Sequence, residues 1–306
     1  MLTQCRRSSP DEMTIEDLSE AIRLDSTNAK AYNNRGLAYD NLGQYQRAIE
    51  DYDQAIRLNP DLVPAYNNRG NAYRKLGQYQ RAIEDYDQAI RLDPDLAAAH
   101  NNRGLTYNNL GQYRRALEDF DRALRLDSGF AAAYSNRGIA YFDLEQYQRA
   151  IEDYDQAIRL DPDNALAYNN RGFTNINLGQ YQRALEDLNQ AIRLDSKNAF
   201  AYNNRGSAYY HLGQYRRAMA DYDQSLRLDP DNALAYNNRG GAYDDLGQYP
   251  RAIEDYDQAI RLDADYADAY NNRGNAYYEL GQREQAVQDW HKACELGFQP
   301  ACDMLK

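Results

Sequence analysis

Groups able to do chemistry are sparse in this chain, and their spacing argues against catalysis. The histidines, His100, His211 and His291, stand apart from one another, whereas acid–base catalysis needs convergent groups with tuned protonation. No glycine-rich phosphate loop, nucleophile elbow or Cys/His metal spacing is present, so no cofactor and no metal are expected. Carboxylates recur in segments such as Glu50-Asp51-Tyr52-Asp53, but an arginine follows four residues on, as Asp53 to Arg57, which reads as an exposed helical ion pair. Cys5, Cys294 and Cys302 are too few and scattered for a disulfide framework, which favours a reducing compartment or cysteines that say nothing of the compartment. Cys294, Cys302 and Trp290 are expected to be packing residues near the end of the chain.

Asparagine is the functional side chain that does recur. Asn34, Asn68, Asn102, Asn136, Asn170, Asn204, Asn238 and Asn272 lie 34 residues apart. Each carboxamide offers a donor and an acceptor, which suits bidentate pairing with a peptide backbone. A binding protein without catalytic activity is the expectation.

These asparagines sit inside a phrase, Ala-Tyr-Asn-Asn-Arg-Gly, that begins at Ala31 and recurs at Ala65, Ala167, Ala201, Ala235 and Ala269, with one-letter variants at Ala99 and Ala133. A fixed period of 34 residues means one supersecondary unit stacked on copies of itself and suits a helix-turn-helix pair. Within the first copy Tyr32, Gly36, Tyr39 and Leu42 keep helical spacing, as do Tyr45, Ala48, Tyr52, Ala55 and Ile56. Gly43-Gln44 breaks the two helices apart, and Asn59-Pro60 closes the second. The columns headed by Tyr32, Tyr39, Tyr45 and Tyr52 hold 26 of the 29 tyrosines, so they are expected to form the core.

The composition narrows the partner. With 35 basic against 47 acidic residues the net charge is −12, which repels a phosphate backbone, and no nucleic acid is expected. No apolar run reaches the roughly 18 residues of a membrane span, and Met1 to Pro10 lacks the apolar stretch of a signal peptide. No membrane partner and a cytoplasmic location are expected, with no lipid at Cys5.

The pattern resembles the tetratricopeptide repeat family over nearly the whole chain. Tyr32, Gly36, Tyr39, Gly43, Tyr45, Ala48, Tyr52, Ala55 and Pro60 stand where the family signature wants them. The resemblance implies an all-α fold, a right-handed superhelical α-solenoid of helix-turn-helix units. The expected organisation is a flexible segment over 1–11, a half-repeat over 12–28, and eight repeats over 29–62, 63–96, 97–130, 131–164, 165–198, 199–232, 233–266 and 267–300, with a short cap over 301–306. Local departures are Glu145 at a turn glycine, Asn175 and Leu188 at core aromatics, and Pro250 early in a second helix, where proline is tolerated. Asn175 with Leu188 is expected to leave the fifth repeat loosely packed. Arginine stands where the family usually has leucine, at Arg35 and its seven equivalents. A buried arginine needs a charge partner, and Arg35 is expected to meet Asp51 or the equivalent aspartate of an adjacent repeat.

Helical geometry places Lys30, Asn34, Leu37 and Asn41 opposite the packing stripe, on the face that lines the concave groove of such a stack. The asparagine column is similar to the ladder in the repeats of O-linked N-acetylglucosamine transferases and kinesin light chains, which implies a grip on ligand backbone. The basic clamp of chaperone-binding relatives is absent, since Asn33, Asn67, Ala98 and Asn102 stand at its positions. Outer columns headed by Arg47, Glu50 and Gln54 stay almost constant, while the groove columns headed by Lys30, Leu37, Asp40 and Asn41 diverge. The divergent residues run from basic (Lys30, Arg74, Lys75), through apolar (Ile139, Phe142, Leu166, Phe173, Ile176, Phe200, Tyr210), to acidic (Asp244, Asp245, Asp268, Glu279). The expected partner is a protein or peptide segment with an apolar centre, its acidic end toward the first repeats and its basic end toward the last. Two other readings remain open at this point: a self-associating structural solenoid, with a homo-oligomer, and a regulatory or substrate-recognition subunit of an enzyme.

Overall fold

The computed structural model describes residues 14–305, so the segment over 1–11 that is expected to be flexible, and Cys5 within it, lie outside the described residues. These fall into two compact units dividing between Gln146 and Tyr147, between the two helices of the fourth repeat. Unit one holds α1 (Ile15–Leu24), α2 (Ala29–Asn41), α3 (Tyr45–Leu58), α4 (Val63–Lys75), α5 (Tyr79–Leu92), α6 (Ala97–Asn109), α7 (Tyr113–Leu126) and α8 (Ala131–Asp143). Unit two holds α9 (Tyr147–Leu160), α10 (Ala165–Asn177), α11 (Tyr181–Leu194), α12 (Ala199–His211), α13 (Tyr215–Leu228), α14 (Ala233–Asp245), α15 (Tyr249–Leu262), α16 (Ala267–Glu279), α17 (Arg283–Glu295) and α18 (Gln299–Met304). All described secondary structure is helical, and within each unit every helix packs on the next in chain order. The fold is an all-α solenoid of helix-turn-helix units.

Helix boundaries follow from local chemistry. Asn28, Asn164, Asn198 and Asn232 cap first helices by accepting the third backbone N–H of the turn, as Asn28 Oδ1 does from Ala31 at 3.0 Å. Each first helix then stops at a leucine followed by a left-handed residue. Glycine fills that position as Gly43 (φ 72°), and Glu145 (φ 59°) occupies it in the fourth repeat at the cost of β-carbon crowding.

Within a repeat the two helices approach so closely that a β-carbon on Gly206 would stand 2.7 Å from Cε1 of Tyr222 and 3.2 Å from the Ala218 carbonyl. Tyr52, Tyr86, Tyr154, Tyr222 and Tyr256 fill the spaces beside such glycines, with Phe120, Leu188 and Trp290 as their substitutes. Gly206→Ala is therefore expected to lower unfolding free energy by about 1–3 kcal/mol through overpacking, less a helix-propensity gain of up to about 1 kcal/mol. A urea titration showing a net gain in stability would refute this packing account.

In the fifth repeat Leu188 is fully buried and Asn175 donates to Asp187 at 3.1 Å. A polar cleft of about 230 Å³ lined by Asp155, Arg171, Asn175, Arg183 and Asp187 opens where other repeats place a tyrosine ring. The end of the chain departs from expectation more sharply. Cys294 and Cys302 form a disulfide, because Gly297 (φ 90°) turns α18 back along α17 and brings the two Cα atoms within 4.9 Å. Trp290, Ala293 and Ala301 form the buried cluster beneath this bridge. The bridge removes the cysteine-based support for a reducing compartment.

Candidate functional site

The arginine column sets the first helices in place. Arg35 directs Nε and Nη2 at the two carboxylate oxygens of Asp51, at 2.8 and 2.7 Å, in the fork geometry that suits a carboxylate. Its third nitrogen reaches back to Ser19 Oγ in the half-repeat, at 3.1 Å. Arg69 repeats the arrangement with Asp85 and, on the preceding second helix, Asp53, both at 2.6 Å. In unit two Arg171, Arg239 and Arg273 do the same, while Arg205 uses Asn189 as its backward partner. Each of these six guanidiniums thus ties one first helix to its own second helix and to the second helix before it. Hydrogen bonding to Asp119, ahead of the opposing cost of burial, raises the pKa of Arg103, so these groups stay cationic.

Along the groove the carboxamides form a zipper. Asn68 donates to Asn33 Oδ1 at 3.2 Å, Asn102 to Asn67 at 3.1 Å and Asn136 to Asn101 at 3.0 Å. In unit two Asn204, Asn238 and Asn272 each donate to Asn169, Asn203 and Asn237 at 3.1 Å. Asn34 and Asn170 accept from Asn33 and Asn169 beside them. Each of the six donating ladder amides spends one N–H on its neighbour and keeps a second N–H and a carbonyl lone pair. The Asn33 column was not singled out by sequence reasoning; the readable signal is the spacing of 35 residues, one repeat plus one residue, which joins neighbouring first helices.

The same spacing governs the groove charges. Lys75 lies 2.6 Å from Asp40, so one of the three residues expected to make the first repeats basic is neutralised within the fold. Lys30 is exposed at the start of α2, whereas Arg74 is half-buried with an unpartnered Nε. The apolar set divides as well. Ile176 is half-buried and packs against the core cluster of Ala184, Leu185, Leu188 and Ala208. Ile139, Phe142 and Tyr210 are half-buried. Leu166, Phe173 and Phe200 remain 54%, 39% and 61% exposed on α10 and α12, with Leu234 exposed on α14.

Asp244, Asp245, Asp268 and Glu279 lie on α14 and α16, with Asp244 half-buried and the others exposed. Burial, reinforced by the charges of Asp245 and Glu279, pushes the Asp244 carboxyl up to about 6. A carboxyl with a raised folded pKa gives stability that is present at low pH and lost as pH rises through about 6. Asp244→Asn should therefore melt at a higher temperature than the unaltered chain at pH 7.5, and at the same temperature at pH 4. Calorimetry showing no difference at pH 7.5 would contradict this crowding. Among the described residues no His/Cys/Asp/Glu group is arranged to hold a metal, and no helix is long and apolar enough to cross a membrane.

Stacked helix pairs, a glycine–aromatic core and a lined first-helix face define the helical-repeat class of interaction scaffolds. Models described as TPR repeat match residues 14–43, 70–111, 139–179, 175–213 and 241–281, and the tetratricopeptide repeat model matches 29–62, 97–130, 199–232 and 267–296. The chain belongs to the tetratricopeptide repeat family, and its architecture is that of a protein-interaction scaffold. Comparison with curated proteins finds no match. Among solved structures it is similar to a chain of the APC/C hetero-tetramer Cut9-Hcn1, with TM-score 0.72 and 17% identity over 98% of this chain, and it spans 60% of that one. It is also similar to a tetratricopeptide repeat protein from Parabacteroides merdae, with TM-score 0.64 and 21% identity over 79% of this chain and 97% of that one. At these identities the likeness shows the fold.

Proposed function

We propose that this chain is a non-catalytic adaptor that binds an extended peptide or protein segment along its first helices. The observation that carries the reading is the run of large apolar side chains, Leu166, Phe173, Phe200 and Leu234, left exposed on successive first helices of unit two although that unit has a closed core. Large apolar side chains left facing water on successive helices mark an interaction site. Beside it the remaining N–H and lone pair of Asn170, Asn204, Asn238 and Asn272 supply main-chain hydrogen bonding. An extended segment advances about 3.3 Å per residue, so it meets successive ladder amides every few residues.

The segment has an apolar centre over α10 and α12 and a basic end over α14 and α16, where the carboxylates stand. Preference for an acidic end in unit one rests on Lys30 and Arg74, since Lys75 is taken. The architecture of the Cut9-Hcn1 hetero-tetramer supports a role in assembling proteins, and a cytoplasmic setting belongs to the same reading. The Cys294–Cys302 bridge is the feature that favours an oxidising setting instead.

Selection of random twelve-residue peptides on the immobilised full chain tests the proposal. Enrichment of sequences with an apolar centre followed by lysine or arginine supports it. Absence of enrichment, together with concentration-dependent mass in light scattering, favours the self-associating solenoid.

A further inference from the structure

The pairing of first-helix residues 35 apart is satisfied in one place and frustrated in another. Lys75 meets Asp40 at 2.6 Å between the first two repeats. The equivalent pair between the seventh and eighth repeats is Asp244 with Glu279, two acids, and Asp245 adds a third. Oδ1 of Asp244 is buried and has no hydrogen-bond partner.

A second observation converges on the same spot. In two repeats the deep aromatic bonds the first-helix residue of the column headed by Leu37, whereas in the first repeat, where that residue is Leu37 itself, the Tyr52 hydroxyl has no partner. In the second repeat the Tyr86 hydroxyl donates to Asn71 at 2.8 Å, and in the eighth Trp290 Nε1 donates to Asn275 at 3.0 Å. In the seventh repeat that groove residue is Gly241, which offers the Tyr256 hydroxyl no side chain. Tyr256 is 2% exposed, and its hydroxyl lies beneath Gly241 rather than beneath an acceptor side chain. A β-carbon on Gly241 would stand 4.0 Å from that hydroxyl and 3.9 Å from the hydroxyl of Tyr210, so the glycine leaves an open notch between two phenols.

We propose that the notch over Gly241 is a cation subsite, which seats the ammonium or guanidinium head of a lysine or arginine side chain between the Tyr256 and Tyr210 hydroxyls and the Asp244 carboxylate. This deepens the groove reading, on which the identity of its natural occupant rests. Such a head carries several N–H donors and no acceptor, so the phenol oxygens and the Asp244 carboxylate accept from it, while the phenol O–H groups turn to the carboxylates, as that of Tyr210 does to Asp245. Asp245 and Glu279 supply the surrounding negative field, which attracts the cation and discourages an acidic or neutral side chain. The Asp40–Lys75 pair shows the same arrangement with a cation on Oδ2, although Oδ1 of Asp40, like that of Asp244, is without a partner.

Two variants built from the protein's own alternatives test the subsite. Gly241→Asn places at the notch the carboxamide that Asn71 and Asn275 supply, in space that accepts a β-carbon without a clash. Glu279→Lys installs the counterpart of Lys75. The ¹⁵N-labelled full chain is titrated at pH 7.5 with N-acetyl-lysine amide, N-acetyl-arginine amide and uncharged N-acetyl-norleucine amide. The Gly241 amide signal is assigned by its loss in Gly241→Asn.

A saturable shift of Gly241 with either cationic amide and none with norleucine is expected, the stronger of the two identifying the preferred head group. Neighbouring amides in Gly241→Asn and Glu279→Lys should show binding weakened about tenfold, equivalent to roughly 1.4 kcal/mol, in chains with undiminished melting temperature. Equal response to norleucine, no response to either cation, or unchanged binding in both variants would overturn the subsite. The probes carry no apolar centre, so a failed peptide selection with the Gly241 response intact would remove the extended-segment reading alone.

Discussion

Arg69→Met should destabilise the fold by about 3–5 kcal/mol, the cost of leaving a buried carboxylate without its partner. Asp85 is 5% exposed, and Arg69 supplies both of its forked bonds, at 2.8 and 2.6 Å. The same substitution releases Asp53 on α3, so the link between successive repeats is cut as well. Methionine keeps much of the aliphatic stem but removes the guanidinium that stands 5.8 and 5.9 Å from the Tyr66 and Tyr73 ring centroids, so these cation–π contacts are lost together with the charge network. Arg69→Met/Asp85→Leu should recover most of the stability, because a matched apolar pair no longer buries an unpaired charge. Urea unfolding followed by circular dichroism measures both, and hydrogen exchange should place the loss in α3, α4 and α5, since repeats couple to their nearest neighbours. A single-variant loss below about 1 kcal/mol would mean that these bridges behave as exposed pairs.

Phe173→Ala/Phe200→Ala should act on the opposite property. Phe200 is 61% and Phe173 39% exposed, so truncation should cost about 1 kcal/mol of stability, well below the roughly 3–5 kcal/mol typical of removing a fully buried ring. Affinity for a peptide selected on the chain should fall by roughly tenfold or more, because apolar anchors of this kind dominate the binding energy of a groove. Fluorescence anisotropy with the labelled peptide reads the change, and equal dissociation constants would dissociate these rings from recognition.

How much of the molecule was legible depended on whether a feature lies within one repeat or between two. Tyr32, Gly36, Tyr52 and Pro60 recur at a fixed period, and each acts on helix packing inside its own repeat, so helix order and core were readable from spacing. The rationale for Arg35 was readable too, since a charge in a packing column demands a partner. Features between repeats were harder. The Asn33 column accepts from the repeat that follows, and Asp40 pairs with Lys75, at an offset that emerges only when neighbouring first helices are placed side by side. Ile176 has a groove position in the helical pattern, and its packing against the core cluster around Leu188 shows only in the structure. The disulfide depended on the path of Gly297, a single left-handed residue that turns α18 onto α17. The notch at Gly241 is invisible as a motif, because it is the lack of a side chain above the Tyr256 hydroxyl.

The claim that the first helices of unit two form the binding face can be tested by photo-crosslinking from single positions. A photoreactive residue at Ser207 on α12, in the same column as Phe173, should crosslink the selected peptide in high yield. The same residue at Ala220, exposed on the second helix α13, should not. Crosslinking from Ala220 with none from Ser207 would place the ligand on the second-helix face and contradict the account.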